Sequence, residues 1–267
     1  MELEKKVCYL GDDDPTRAAA YLCGVMTHYG IDFDRVDSGT KPGADFQNRA
    51  YALYVLSDYA VSSFNDGDLE HIAASVRENG SGLLMLGGWE SYYGRLGEYH
   101  NTPIKDVLPV NMSDSDDRRN YSSPVLLRPT TLDHPIVAGL PWETAPGVGG
   151  YNRFDAKEGA TVLLKGYRTK TAWRTPVAEP NKPLDQADVS IELLEEFPFL
   201  VVDEVGKGRV AAFASDVAPH WIGGMVDWGT PRVFQELPDR LGTGLFVEIG
   251  CDYAKFFAQL VRWTGAL

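Results

Sequence analysis

The chain has 267 residues, of which 44% are hydrophobic, so it can bury a sizeable core, and we expect one domain over residues 1–267. Its formal net charge of -13 repels phosphate backbones and anionic lipid surfaces, which makes nucleic acid and membrane unsuitable partners. Three scattered cysteines and a charged amino terminus without a signal-peptide pattern predict a reduced protein of the cytoplasm.

The first predicted unit is a strand followed by a helix. Residues 7–10 form a short apolar run that ends at Gly11, which is typical of a buried strand followed by a turn. Asp14 is predicted to cap a helix that begins at Pro15, and apolar residues at helical spacing continue to Gly30. The start of the chain therefore has the βα pattern of a parallel sheet.

Two further apolar runs, residues 31–36 and 52–56, continue this alternation. The second is almost uniformly apolar, which is typical of a strand that is covered on both faces. A helix is predicted after it, ending near Gly80, and residues 83–86 form a fourth strand that two glycines close. Strands and helices that alternate in this way predict a doubly wound, mostly parallel sheet.

The second half of the chain is less regular. Short strands are predicted at residues 125–127 and 161–164, and the polar, proline-bearing residues 167–188 are predicted to be a long surface excursion. Two apolar runs within residues 199–213 flank a Gly-Lys-Gly turn and predict a β-hairpin, which adds antiparallel strands to the sheet. An apolar stripe then predicts a final helix that ends at Gly265.

Several short motifs together resemble one known family. They are the Ser-Gly-Leu-Leu-Met-Leu-Gly-Gly run from residue 81, His-Pro-Ile from residue 134, Gly-Tyr-Asn from residue 150, and, most specific, Gly-Lys-Gly-Arg-Val from residue 206 with Ala-Ser-Asp-Val-Ala-Pro-His-Trp from residue 214. In this order they resemble a bacterial group described as putative glutamine amidotransferases, which belongs to the class I glutamine amidotransferase-like superfamily and is similar to its trehalose-utilisation-type branch. The resemblance implies a flavodoxin-like fold. Residues 180–188 and 235–250 depart from the family pattern, so the resemblance does not predict the shape of the rim of any cleft.

The family's glutaminase chemistry requires a cysteine at a tight strand-to-helix elbow, where backbone N–H groups hold the oxyanion. At the matching turn this chain has Gly87, Gly88 and Trp89, so neither cysteine nor serine occupies the elbow. The cysteines elsewhere are expected to pack as small apolar residues. We therefore expect no glutaminase activity and a catalytically degenerate member of the superfamily.

Three residues are the best candidates for acid–base chemistry. In the superfamily a histidine follows the strand that here spans residues 210–213, so the resemblance places His220, with Asp216, at the position of the site. Glu90 follows the elbow and is the third candidate acid or base. Each has an ordinary alternative, because Asp216 and His220 can fix a loop by hydrogen bonds and Glu90 can be an exposed turn carboxylate.

A crevice at the carboxyl ends of the strands is expected to gather residues that contact a ligand. The expected contacts are Asp12, Gly87, Gly88, Trp89, Ser91 and Trp221. Ser91 could also substitute as nucleophile, but no Gly-x-Ser-x-Gly elbow surrounds it, so we favour a loop-capping hydroxyl. Helix capping accounts for the acidic residues 12–14, and no glycine-rich fingerprint follows the first strand, so neither a metal site nor a cofactor is predicted.

Two functions remain open from the sequence. The first is a binding domain for a small polar or sugar-like ligand, or for a protein partner. The second is a hydrolase or isomerase that uses Glu90, Asp216 and His220 without a covalent intermediate. The apolar, glycine-rich residues 217–250 must pack on the domain, cover the crevice or join another subunit, so self-association is also left open.

Overall fold

The computed structural model describes residues 3–173 and 189–267. The strands in chain order are β1 (Leu3–Gly11), β2 (Phe33–Val36), β3 (Ala50–Ser57), β4 (Gly82–Leu86), β5 (Val110–Asn111), β6 (Arg118–Pro129), β7 (Val148–Asn152), β8 (Asp155–Ala156), β9 (Thr161–Trp173), β10 (Val189–Val205), β11 (Gly208–Phe213), β12 (Arg232–Glu236) and β13 (Phe246–Gly250). The α-helices are α1 (Ala19–His28), α2 (Asp68–Ala74), α3 (Ile104–Val107), α4 (Pro219–Ile222) and α5 (Cys251–Gly265). Nine of the strands form one sheet in the order β2-β1-β3-β4-β11-β10-β9-β6-β7.

One half of this sheet is parallel and the other half is antiparallel. Strands β2, β1, β3, β4 and β11 are parallel neighbours. Every residue of β3 and β4 is buried, as their continuous apolar runs predict. Strands β10, β9, β6 and β7 continue the sheet with antiparallel pairing. The expected α/β fold, with a parallel sheet and additional antiparallel strands, is confirmed.

Helix α5 packs on the parallel half of the sheet, against β3, β4 and β11. The rings of Phe256 and Phe257 lie 5.7 and 5.6 Å from the ring of Phe213, and all three side chains are fully buried. Because Phe213 is the last residue of β11, this packing fixes the point at which the loop to α4 leaves the sheet. No helix within the described residues has the length and apolar character needed to span a bilayer.

The predicted start of the first helix is wrong by about one turn. Helix α1 begins at Ala19, whereas Asp14 accepts a 2.7 Å hydrogen bond from the backbone N–H of Thr16 in the turn before it. Asp14 therefore caps that turn, and Pro15 lies within it.

The predicted surface excursion at residues 167–188 is wrong for its first part. Residues 167–173 belong to β9, which pairs with β10 along its whole length. This pairing satisfies the backbone hydrogen bonds of residues 167–173. Their polar, irregular sequence does not indicate a strand, because the partner strand and not the local pattern stabilises it. The rest of that excursion, and the family departure at residues 180–188, lie outside the described residues.

The segment 217–250 packs on the domain, which is one of its three expected roles. Trp221 and Trp228 are only 3% and 2% exposed, and the Trp228 ring lies 4.9 Å from that of Trp142. Strands β12 and β13 form a separate two-stranded ribbon on which Phe234 and Phe246 are exposed. Self-association of the chain remains a prediction.

Candidate functional site at the carboxyl ends of the parallel strands

The strands β1, β3, β4 and β11 are neighbours, so the loops that follow their carboxyl ends meet at one edge of the sheet. These loops place four residues close together: Asp12 after β1, Asp58 after β3, Gly88 after β4 and Asp216 after β11. The predicted crevice at this edge therefore contains three carboxyl groups. Sequence reasoning named two of them and missed Asp58.

Asp12 and Asp58 adopt the left-handed backbone conformation, with φ angles of 48° and 45°. This conformation is unusual outside glycine and costs about 1 kcal/mol or more per residue. The two loops are joined, because the backbone N–H of Asp12 donates a 2.9 Å hydrogen bond to the carbonyl of Ser57. The Arg35 guanidinium, which is almost fully buried, donates to the Asp12 carbonyl. The fold therefore holds both aspartates rigidly in a strained arrangement.

The Asp12 side chain is only 2% exposed. The Tyr9 hydroxyl donates to its Oδ2, whereas Oδ1 has no hydrogen-bond partner among the described residues. Burial, followed by the nearby charge of Asp216, raises the pKa of Asp12 well above its ordinary value. Asp12 is therefore a buried carboxyl group with one unused oxygen.

The carboxylate of Asp58 fills the space that a side chain at the elbow would occupy. A Cβ placed on Gly88 would lie 1.9 Å from Asp58 Oδ1, so the two cannot coexist without movement. The same Oδ1 accepts a 2.8 Å hydrogen bond from the backbone N–H of Glu90. Burial, followed by the charges of Asp216 and Asp12, raises the pKa of Asp58 well above its ordinary value. The carboxylate of Asp58, which follows β3, thus occupies the space beside Gly88 at the elbow.

The structure brings Asp216 and His220 together, as the sequence predicts. Asp216 is fully buried, and its Oδ1 accepts hydrogen bonds from the backbone N–H groups of Val217 and Ala218, at 2.5 and 3.2 Å. Its Oδ2 lies 2.8 Å from Nε2 of His220, whose side chain is 55% exposed. The adjacent Asp216 carboxylate raises the pKa of His220. Donor atoms of Asp58, Asp216 and His220 all lie within 4.8 Å of one another.

The elbow itself offers little to an oxyanion. The backbone N–H of Gly87 donates to the Ser215 carbonyl at 2.9 Å, and that of Gly88 donates to Asn152 Oδ1 at 2.8 Å. The Asn152 amide in turn donates to the Gly88 carbonyl and to Asp117, at 3.1 and 2.8 Å. The N–H groups of Gly87 and Gly88 are therefore both bonded within the protein rather than directed at the crevice.

The remaining predicted ligand contacts have different environments. Ser91 is 1% exposed and its Oγ accepts a 3.1 Å hydrogen bond from the backbone N–H of Asp58, so it caps the loop. Trp89 is 46% exposed, but the guanidinium of Arg118 lies over its ring at 4.4 Å and covers one face. Trp221 is buried against Gly150, where an added Cβ would lie 2.7 Å from the indole.

Glu90 lies in a groove beside the carboxylate cluster. This groove has a volume of 520 Å³ and its polar lining consists of Asp13, Ser38, Ser62, Ser63, Glu90 and Glu98. Burial, followed by the charge of Asp13, raises the pKa of Glu90. The three predicted acid–base residues are thus divided, because Asp216 and His220 pair with Asp58 while Glu90 faces the groove.

Three important residues were missing from the sequence prediction. Asp58 follows a buried strand as directly as Asp12 does, so the same reasoning applied to the third strand would have found it. Asn152 lies within the Gly-Tyr-Asn motif that carries part of the family resemblance. Asp117 has no distinguishing signal, because it is an acid in a polar run and only the structure buries it.

Comparisons with known proteins agree with this architecture. A cytoplasmic protein of Salmonella typhimurium LT2 has a TM-score of 0.68 and 24% identity, over 97% of this chain and 99% of that chain. A second cytoplasmic protein of Salmonella typhimurium has a TM-score of 0.66 and 23% identity, over 97% of this chain and 98% of that chain. A putative ThuA-like protein of Parabacteroides merdae has a TM-score of 0.55 and 14% identity, over 97% of this chain and 89% of that chain. At these identities the similarity shows the fold alone.

No curated protein matches the chain. A family model does match it, over residues 50–172 and 177–237. This match includes β3, the elbow, Asn152 and the loop that carries Asp216 and His220, and it extends over more than half of the sequence. The chain therefore belongs to the family described as putative glutamine amidotransferase.

Proposed function

We propose that this protein binds a small polar ligand at the carboxyl edge of its parallel sheet and does not hydrolyse glutamine. The observation that carries the proposal is the convergence of Asp12, Asp58, Asp216 and His220 at one crevice. Burying the carboxyl groups of Asp12 and Asp216 beside the partly buried Asp58 costs free energy and rarely stabilises a fold, whereas binding sites gather such groups. The 520 Å³ groove beside them suits a small molecule better than the flat surface of a protein partner.

The lining of the groove indicates the chemistry of the ligand. Three serines and three acids line it, so a molecule with hydroxyl or ammonium groups finds acceptors, whereas a phosphorylated molecule is repelled. Because Arg118 covers one face of Trp89, a sugar-like ligand would be held by its hydroxyl edges. The proposed ligand is therefore a neutral or cationic polyhydroxylated compound. Both Salmonella proteins of this fold are described as cytoplasmic, and we place this protein there too.

Thermal-shift screening followed by calorimetry tests the proposal. The library contains neutral polyols and sugars, amino sugars, and the phosphorylated form of each sugar. We expect saturable binding of unphosphorylated compounds and at least about tenfold weaker binding by the Glu90→Gln variant, since Glu90 lines the groove. Glu158→Gln, an exposed change elsewhere, is the matched control. Uniformly absent shifts, or binding that both variants weaken equally, would refute the small-ligand function.

A second candidate function, non-covalent acid–base catalysis, is favoured by the 2.8 Å contact between the buried Asp216 and the half-exposed His220. Asp58 replaces Glu90 as the third member of this group. Any compound found in the screen is incubated with the protein and followed by NMR. Conversion that the His220→Gln variant loses while it still binds the compound supports catalysis. Binding without conversion supports a binding domain.

A further inference from the structure

We infer that Asp58, Asp216 and His220 form a binding site for one divalent transition-metal ion. The sequence alone predicts no metal site, because its acidic residues 12–14 are explained by capping. The inference concerns the same crevice as the proposed ligand, but it requires no organic molecule and can be tested without one.

The positions of the donor atoms fit one shared ion. One carboxylate oxygen from each aspartate and a ring nitrogen of His220 lie within 4.8 Å of one another. Ligands that bind one ion at about 2.0–2.2 Å are themselves about 3–4 Å apart, so small side-chain movements bring all three into a first coordination shell. The donors come from the ends of two rigid strands, since Asp58 follows β3 and Asp216 follows β11.

The buried oxygen of Asp216 is an independent indication of a missing partner. Asp216 Oδ2 is fully enclosed and accepts no hydrogen bond with normal alignment from any described residue. It lies only 2.8 Å from Nε2 of His220, so the two atoms are side by side without being aligned as donor and acceptor. Two ligands of one ion adopt this relation, because each directs its lone pair at the metal.

The electrostatics of the crevice also favour a cation. Asp12 lies close enough for its charge to act on both Asp58 and Asp216, and its Oδ1 also has no hydrogen-bond partner in the part of the chain that the structure describes. The acidic groups of Asp216, Asp58 and Asp13 act electrostatically on His220. Arg35 offsets little of this, because its guanidinium is paired with Asp37. A dication would compensate the buried carboxylates directly.

The donor set selects the kind of ion. Two carboxylates with one imidazole suit Mn²⁺, Fe²⁺ or Zn²⁺, whereas Mg²⁺ and Ca²⁺ prefer oxygen ligands alone. Three protein donors leave coordination positions open, and the His220 side chain is 55% exposed, so solvent and solutes can reach the site. A hydroxyl group of the bound ligand could occupy such a position.

Metal titration of the purified protein tests the inference. The protein is stripped with EDTA, and ZnCl2 and MnCl2 are titrated by isothermal calorimetry, with metal content checked by mass spectrometry. We expect one ion per chain and at least about tenfold weaker binding by His220→Ala and by Asp58→Asn. Glu158→Gln is the matched control, because it removes an exposed carboxylate from a residue outside the donor set, and it should change affinity by less than about threefold.

Folding of each variant is checked by circular dichroism, and His220→Gln replaces His220→Ala if the latter is unfolded. The absence of saturable binding to folded wild-type protein would overturn the inference, as would equal weakening by all three variants. The outcomes separate from those of the ligand screen. If the protein binds metal but no organic ligand, only the proposed function is refuted. If the protein binds an organic ligand but no metal, only this inference is refuted.

Discussion

Single residues at the elbow decide what chemistry the crevice can support. Gly88 has no side chain, and the Asp58 carboxylate occupies the space that one would fill. This arrangement places a carboxylate beside the elbow and keeps the crevice polar.

The Gly88→Ala variant tests this exchange of space. Its methyl group would lie 1.9 Å from Asp58 Oδ1, so the carboxylate must move and lose its bond from Glu90. We expect Zn²⁺ affinity to fall at least about tenfold, with a lower melting temperature. Gly224→Ala is the control, since its Cβ would meet only an ordinary contact at 3.6 Å. Unchanged metal affinity in Gly88→Ala would show that the position of Asp58 does not matter.

The three cysteines should differ sharply in reactivity. Cys8 and Cys23 are buried, and burial raises the pKa of Cys8 and raises that of Cys23 to about 12. Cys251 is only partly buried. Ellman's reagent at pH 8 should therefore modify one thiol in the native protein and three in the unfolded protein. The Cys251→Ser variant should abolish the native reaction; a second reactive native thiol would contradict the burial of β1 or α1.

At the scale of elements, the elbow is held by a hydrogen-bond network that links β4 to β7 and β6. Asn152 at the end of β7 bonds both backbone groups of Gly88, and Asp117 accepts from Asn152 and from the N–H groups of Tyr93 and Gly94. Burial raises the pKa of Asp117, and these three donors oppose that effect. The antiparallel half of the sheet therefore positions the elbow of the parallel half.

The Asn152→Ala variant measures this connection. It leaves both backbone groups of Gly88 without this partner and removes one of the three hydrogen bonds to the buried Asp117 carboxylate, so we expect a loss of about 2–4 kcal/mol in the free energy of unfolding. Urea denaturation gives the value. Asn120→Ala, an exposed change on β6, should cost less than about 0.5 kcal/mol. Equal effects of the two changes would mean that the network does not support the elbow.

The segment after His220 should be essential for folding. The Trp228 ring packs on Trp142 and is 2% exposed, so Trp228→Ala should destabilise the protein by about 3–5 kcal/mol. Trp89→Ala, at a side chain that is 46% exposed, should cost less than about 1 kcal/mol. Thermal unfolding with analytical ultracentrifugation separates the roles. A stable Trp228→Ala variant with altered mass would instead place Trp228 in a subunit interface.

The whole molecule combines an amidotransferase-like fold with a carboxylate-rich site at the elbow. The chain matches the family model, neither cysteine nor serine occupies residues 87–89, and the N–H groups of Gly87 and Gly88 are bonded within the protein. A family name derived from the fold therefore does not supply a reaction.

We expect no ammonia release from glutamine, even in the Gly88→Cys variant. A cysteine there would have to displace Asp58, and the N–H of Gly88 would remain bonded to Asn152. A coupled glutamate dehydrogenase assay measures release, with an active glutaminase as positive control. Release by wild-type protein would overturn the degenerate assignment, and release by the variant alone would show that only the nucleophile is missing.

The sequence by itself determined the elements whose pattern is local. The apolar runs in β3 and β4 are continuous because both faces of these strands are covered. The apolar stripe of α5 has the spacing of a helix with one buried face. In each case the residues of the element itself indicate which of its faces are buried. The elbow glycines and the Asp216–His220 pair could be named for a different reason, because the short motifs that contain them resemble a known family. The part of β9 beyond residue 166 could not be predicted from the sequence. It is a strand because it pairs with β10, and its polar residues do not indicate which strand they pair with.

Only the tertiary structure decided how the site is composed. Asp58, Asp216 and His220 are separated by long stretches of chain, and the order β1-β3-β4-β11 is what brings their loops to one edge. The burial of Asp117, the covering of Trp89 by Arg118 and the separation of Glu90 from the cluster also arise from packing between distant segments. A sequence lists which donors exist, but their distances and solvation, which determine whether they bind a metal, a ligand or each other, are properties of the assembled fold.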